Sequence, residues 1–378
     1  MSPLRIAAFV AVLTVITGAA HHGLHRRLVV AAALEPLWER RLGWTLLVLA
    51  ALVPLGLLLQ RVESPWLRPL FYASFGWIGL AWFLVLFTAL GDLVGVLLWA
   101  QGAARGAPLD EARRTTFRRG LSLVASGLAG AVVVRGTVEA FSLAVVRVRV
   151  PIRGLPAELE GLRIVQITDV HVGPLLRRGF VEAVVAQVNA LRPDLVAVTG
   201  DLVDGSVDAL AEHVAPLARL ASRHGTFFVT GNHEYYSGVE AWRAHLRSLG
   251  LRVLENERVR LPGGLDLAGV EDYHGSWDLE RALGGRERGV PCVLLAHQPK
   301  HAPLAARRGV DLVLSGHTHG GQFFPWSLVV WLQQGFVAGM YAVGQTALYV
   351  SRGTGFWGPP LRVKAPPEIT EIVLTRAP

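Results

Sequence analysis

Cysteine is almost absent: Cys292, in VPCVLLAHQ, is the only one in 378 residues. That excludes an intrachain disulfide and any zinc site built on thiolates. Its apolar neighbours read it as a buried strand residue. Lysine is nearly absent as well, so the formal charge of +8 rests on arginine. There is no internal repeat and no low-complexity tail. Charged residues make up only 17% of the chain against 52% hydrophobic ones. The mean hydropathy of +0.40 is high for a wholly soluble protein. The length allows two domains, one of them with a full core.

The scarcity of charge is concentrated before residue 140. Residues 4–20 are interrupted only by Arg5, residues 42–60 carry no charge, and residues 69–100 carry only Asp92. Residues 121–134 form a shorter apolar run. A span needs ~20 apolar residues, so the second and third suffice, and the first and fourth are short, signal-like or tilted. The expectation is an N-terminal bundle of about four transmembrane helices in residues 1–140. Arg26, Arg27, Arg40 and Arg41 lie between the first two runs, and Arg105, Arg113, Arg114, Arg118 and Arg119 between the last two. The positive-inside rule puts these loops in the cytoplasm and the second half of a four-span chain outside, in a multi-pass cell-membrane protein. The bias is nine arginines against seven, and loss of one span reverses it. The string RRTTFRRGLSLVASGLAGAVVV loosely resembles a twin-arginine export signal. Asp92 is read as lying near the cytoplasmic end of a long tilted helix.

From about Phe141 the texture changes. LAVVRVRV, LRIVQITD, PDLVAVTG, GTFFVTGN, LDLAGV, CVLLAHQ, VDLVLSGH, TALYVS and EITEIVL read as strands. FVEAVVAQVNALR and AEHVAPLARLASRHG carry apolar residues at helical spacing. Strand and helix alternation predicts an α/β layered domain over residues 141–378, and near-continuous apolar strands predict sheets covered on both faces.

Polar residues gather where these strands stop. Asp169 and His171 follow one strand, Asp201 a second, Asn232, His233 and Glu234 a third, His297 a fourth, and His317 and His319 a fifth. The carboxyl edge of an α/β sheet is where ligands bind. Oxygen and imidazole donors without thiolate suit manganese, iron or zinc better than magnesium. Glycines at 200, 231, 316, 320 and 321 allow sharp turns there. A single histidine is more often structural, and the other eight of the thirteen are read so. Five strand ends that all carry ligand types point to a metal centre.

D-x-H, G-D, G-N-H-E, a lone H and G-H-x-H, in that order over about residues 163–320, resemble the five motifs of the calcineurin-like metallophosphoesterases. ITDVHVG, GNHEYYSG and SGHTHGGQ, with SRGTG and APPEIT, resemble the membrane-anchored bacterial branch of that family, which includes enzymes similar to UDP-2,3-diacylglucosamine hydrolases. The resemblance implies a four-layer αββα sandwich with two divalent metal ions on top. Asp169, His171, Asp201 and His319 would hold one ion. Asp201, Asn232, His297 and His317 would hold the other, with Asp201 bridging. His233 would be the catalytic histidine that is not a ligand, and Glu234 would orient its ring. The implied activity is hydrolysis of a phosphodiester or pyrophosphate by a hydroxide shared between the metals.

The substrate is less legible. FFPWSLVVWL, directly after the histidine pair, is either a membrane-interface surface that admits a lipid-linked phosphoester or the cover of the sheet's own core. Membrane lipid is the expected partner. A nuclease of this fold would need a basic groove with stacking aromatics, and the arginines here are scattered among acids, so no nucleic acid is expected. A non-catalytic envelope binding protein would be expected to have lost a ligand, and none is missing.

Overall fold

The charge-poor and charge-rich halves of the sequence form separate bodies. The computed structural model describes residues 3–59, 62, 64–105, 111–287 and 289–377. One compact unit comprises Met1–Thr137 with Gly358–Leu361, the other Val138–Trp357 with Arg362–Pro378.

The first unit is built on α1 (Pro3–Leu24), α2 (Pro36–Leu59), α3 (Arg68–Ala104) and α4 (Glu111–Ala140). Among the described residues, three helices are long and apolar enough to cross a membrane: Pro36–Leu59, Arg68–Ala104 and Ala112–Ala140. The first expected span forms α1, although the side chains of residues 4–7 and 9 lie outside the described set. The fourth is longer than its apolar core, because α4 takes in the arginine-bearing turns before it and the stretch RGTVEA after it. Asp92 accepts from Arg27 Nε at 2.6 Å, so the lone acid of α3 is ion-paired.

In the second unit the chain lays down β1 (Ala144–Ile152), β2 (Arg163–Ile167), β3 (Leu195–Val198), β4 (Thr226–Phe228) and β5 (Arg252–Val253). It then adds β6 (Glu257–Leu261), β7 (Leu265–Gly269), β8 (Cys292–Leu295), β9 (Leu312–Ser315), β10 (Gly339–Val343) and β11 (Thr346–Val350), and returns with β12 (Glu368–Arg376). These make two six-stranded mixed sheets, ordered β1-β12-β2-β3-β4-β5 and β10-β11-β9-β8-β7-β6. Every residue of β3, β8 and β9 is buried, as central parallel strands covered on both faces require.

The helices of this unit are α5 (Arg178–Ala190), α6 (Val207–Val214), α7 (Asn232–Ser237), α8 (Val239–Ser248), α9 (Leu279–Leu283), α10 (Ala302–Arg307) and α11 (Trp326–Gln334). One core lies between the sheets, where Ile164, Leu195 and Phe227 meet Leu267, Val293 and Leu312. A second covers the outer face of the first sheet with Val181, Val184, Val185 and Val188 of α5, Leu210 of α6, and Trp242 and Leu246 of α8. The four valines recur at helical spacing, which puts one apolar stripe on the sheet. A third core packs Leu279 and Ala282 of α9 and Ala302 and Ala305 of α10 on the second sheet. The layers therefore run helix, sheet, sheet, helix.

Departures from the sequence reading have local causes. The helix expected over AEHVAPLARLASRHG ends at Val214, and Pro216 starts a tighter 3₁₀ turn at Ala215–Arg219. The strands β5, β6 and β10 were not expected. β5 is two residues long. In β6, Arg258 and Arg260 hide the strand pattern and are used to neutralise the buried Asp266 of β7, at 3.1 and 2.5 Å.

One register fixes where the chain enters this unit. β1 runs parallel to β12 with Ala144 beside Glu368, and β12 runs antiparallel to β2 with Thr370 beside Gln166. The start of β1 therefore lies at the same sheet edge as the end of β2.

Candidate metal centre

Apart from the exposed Arg163 that starts β2, the strands β2, β3, β4, β8 and β9 are buried along their length, and most of their side chains are apolar. The first turn beyond is where a polar side chain can leave the sheet. The turns after β2, β3 and β9 use left-handed backbone at residues that are not glycine: φ is +51° at Asp169, +52° at His171, +51° at Asp201, +70° at His317 and +51° at His319. Such conformations cost ~1–3 kcal/mol each and persist only where the surroundings over-determine them. The packing is close enough that a methyl group on Gly316 would collide with the Asp169 carboxylate.

The turns bring all nine expected residues to one edge. Donor atoms of Asp169, His171 and His319 lie within 4.8 Å of one another, as do those of Asp201, His297 and His317. A third grouping joins His171, Asp201 and His233. His171 Nε2 faces His319 Nε2 at 3.0 Å, and His297 Nε2 faces His317 Nδ1 at 3.2 Å and Asp201 Oδ2 at 3.1 Å. Paired imidazole nitrogens aimed at one point are the arrangement of a ligand set. Their far nitrogens are held from behind: His171 Nδ1 donates to Asp204 at 3.2 Å, and His297 Nδ1 donates to the Thr199 carbonyl at 2.8 Å. Arg362 Nη2 donates to His319 Nδ1 at 3.0 Å. Asn232 supplies a further sign, a buried Oδ1 with no hydrogen-bond partner. Nitrogen and oxygen donors, an orphaned amide oxygen and a carboxylate between two groups fit a pair of divalent cations.

The electrostatics of Asp201, His317 and His319 agree with those roles; burial instead raises Asp169, and at His297 burial is outweighed by the Asp201 charge, which raises the ring to about 10. Burial opposes charge on Asp201, but His297 and His233 outweigh it and hold the carboxyl well below the ordinary range. A ligand must be deprotonated to bind, and this one is. Burial also pushes the His317 ring down to about 3, and burial with Arg362 nearby lowers His319, so both rings are neutral.

His233 and Glu234 do not form the expected pair. Glu234 sits in the first turn of α7 and reaches back to the backbone, accepting from the N–H groups of Gly231 at 2.6 Å, Asp201 at 3.0 Å and Leu202 at 2.7 Å. It ties two ligand loops together and leaves the His233 ring alone. The carboxylate on that ring is Asp204, whose Oδ1 lies 2.5 Å from Nδ1. Burial opposes charge on His233, and Asp204 and Asp201 outweigh it, raising the ring to about 9. Its Nε2 points inward, 3.9 Å from Asp201 Oδ2. Replacing Glu234 by glutamine sets an amide donor against backbone donors, an expected loss of ~1–3 kcal/mol. Thermal unfolding of the full chain in detergent should show the lower midpoint, and an unchanged midpoint would contradict this bracing role.

Two residues went unread in the sequence. Asp204, in GDLVDG, serves His171 and His233 together, and its only signal was its position three residues after Asp201. Arg362 is fully buried and donates to the carbonyls of His319, Arg352, Ala365 and Gly355. Burial lowers it to about 10. Around the opening stand Tyr236 and Trp357, both exposed, with ring centroids 5.4 and 5.8 Å from His233.

Fold and site together define a calcineurin-like phosphoesterase: the chain belongs to that family, whose sequence pattern matches residues 162–321, and it is a metal-dependent phosphoesterase. It is 38% identical over 340 residues to a transmembrane protein with metallophosphoesterase domain from Bos taurus, covering 84% of this chain and 76% of that one. It is 47% identical over 221 residues to an uncharacterized metallophosphoesterase from Helicobacter pylori, covering 56% of this chain and 60% of that one. Among solved structures, a dimetal phosphatase from Danio rerio aligns with a TM-score of 0.35 and 15% identity, over 51% of this chain and 88% of that one.

Proposed function

We propose that this multi-pass membrane protein hydrolyses a phosphodiester or pyrophosphate of an envelope lipid or lipid precursor. In this reading Asp169, His171, Asp201 and His319 hold one divalent cation, and Asp201, Asn232, His297 and His317 hold the second. Manganese, iron and zinc are the candidates. The observation that carries the proposal is the convergence of seven donors from five strand ends, with Asp201 in more than one group. When bound, two such cations supply Lewis acidity toward phosphoryl oxygens and lower the pKa of water between them.

The side chains supply the rest. Asp201 contributes the anionic oxygen shared by the two halves of the site. His233, held through Nδ1 by Asp204, turns Nε2 toward the centre and is placed to donate a proton to the departing oxygen. Asp204 also fixes His171, so ligand and proton donor keep a constant relation. The lipid part of the reading rests on three span-length helices in the same chain and on the exposed aromatic rings beside His233. With α1 counted as a fourth crossing, the arginine-rich loops favour a catalytic unit outside the cytoplasm.

The chemistry is tested with the purified full chain in detergent and an aryl phosphodiester, with manganese, iron or zinc added in turn. Metal-dependent release of the aryl alcohol is expected. Absence of hydrolysis with all three metals would remove the proposal.

A further inference from the structure

We propose that the metal-bearing edge of the catalytic unit is a membrane-docking surface, with α11 lying in the headgroup region of a lipid bilayer. The surface claim stands on the geometry below; its consequence, that substrate arrives from the bilayer, rests on the lipid reading above.

The first observation is where the chain enters. Ala112–Ala140 is long and apolar enough to be a span, and only residues 141–143 separate it from β1. Three residues reach about 10 Å at most. Ala140 is itself fully buried, against Leu176 and Phe356, and the Phe141 ring meets Phe356 edge-on at 5.3 Å. Because Ala144 pairs with Glu368 and β12 runs antiparallel to β2, this entry point is level with the end of β2, just before Asp169. The span-length helix therefore hands the chain to this unit at the edge that carries the ligands.

The second observation is what that edge displays. Most of FFPWSLVVWL is exposed rather than turned to the core. Phe323 is buried, but Leu328 is 56%, Val329 48%, Trp331 56% and Leu332 77% exposed. Met340, on the edge strand β10, is 43% exposed. No aspartate, glutamate, lysine or arginine occurs in residues 320–351. A surface meant for water carries charge; an apolar, uncharged helix bearing tryptophan is what an interface of headgroup and acyl chain accepts.

The third observation is how α11 is held. A methyl group on Gly321 would run into the backbone of Ser327, so the start of the helix rests on the loop of His319. At the other end Gln334 is buried and donates to Gln298, the neighbour of His297, at 3.4 Å. Both ends are tied to candidate ligand loops, and the apolar side chains between them stand outward. Interfacial helices usually turn a basic face to water; α11 needs none, because protein lies behind it.

The lone cysteine makes the test clean. Cys292 is fully buried, and burial pushes its thiol up to about 11, so it will not compete for a label. Full-length Leu328→Cys and Leu332→Cys chains, reconstituted in phosphatidylcholine and phosphatidylglycerol vesicles, would carry an environment-sensitive fluorophore. Ser248→Cys is the control: it is exposed and precedes β5, at the opposite edge of the sheet. Quenching by bromine-labelled lipids should be about twofold or more at 328 and 332, as for a helix seated in the interface, and absent at 248. Equal quenching at all three positions overturns the proposal. So does disulfide capture between two Leu332→Cys chains without lipid quenching, which would assign the face to a second copy. Hydrolysis of the soluble aryl phosphodiester by unmodified chain reads the chemistry separately. Quenching without hydrolysis removes the function and leaves the surface, and hydrolysis without quenching does the reverse.

Discussion

Asp201→Asn is expected to strip the centre of both cations and to lower hydrolysis by more than ~10³-fold, since a two-metal clamp supplies several kcal/mol and each 1.4 kcal/mol is tenfold. The reason is charge as well as contact. Asp201 is 2% exposed, and its Oδ2 lies 3.1 Å from His297 Nε2. Among the proposed ligands of the second cation it is the only anion, because the Asn232 amide and the His297 and His317 imidazoles carry no negative charge. The first cation would keep Asp169 but lose half its negative charge. Asparagine preserves the shape and the acceptor for the His233 N–H, which Oδ1 now meets at 2.9 Å, so the fold should persist. Elemental analysis of the purified full chain should fall from two cations per chain to less than one. Retention of both would mean that Asp201 does not bridge.

His233→Ala should give the opposite pattern, with metal retained and turnover down by ~10²–10⁴-fold, the range for loss of a general acid. Its ring is fixed by Asp204 rather than by a ligand, and it stands at the rim between Tyr236 and Trp357. Asp204→Asn should be milder on turnover but should also weaken metal binding by ~10–100-fold, because it loosens His171 as well. Cation content and turnover measured on both variants separate the roles. If His233→Ala loses its metals, then the grouping of His171, Asp201 and His233 is a ligand set and His233 is not the proton donor.

Sequence legibility followed from how unusual each residue was in its place. A carboxylate or imidazole directly after an apolar strand is conspicuous, so the nine site residues could be named before their geometry was known. The layered α/β domain was legible for a related reason: β-branched and apolar runs such as LVAV and CVLL, bounded by turn residues, suit a sheet covered on both faces. What escaped were residues whose importance depends on distance in space. Asp204 looked like one more acid in a turn, and Arg362 gave no signal in LRVKAPP of contacts with carbonyls from 352 to 365. Glu234 was assigned to the ring beside it in sequence, whereas helix α7 turns it back toward Gly231. The strand β10 was missed because its glycine and mixed apolar residues show no alternation.

The left-handed turns at the strand ends narrow the alphabet of the site further than its chemistry does. Asp169, His171, Asp201, His317 and His319 all have positive φ. Aspartate, asparagine and histidine are the side chains other than glycine that occupy that region most readily. They also carry oxygen or nitrogen donors that hard and borderline cations accept. Glutamate would supply the same carboxylate but lacks that backbone tolerance, and glycine would relax the turn but has no donor atom. The residues that satisfy both demands form a set of three. Substitution at these five positions is therefore blocked twice over, and the two packed sheets act as the counterweight that keeps each strained turn from unwinding.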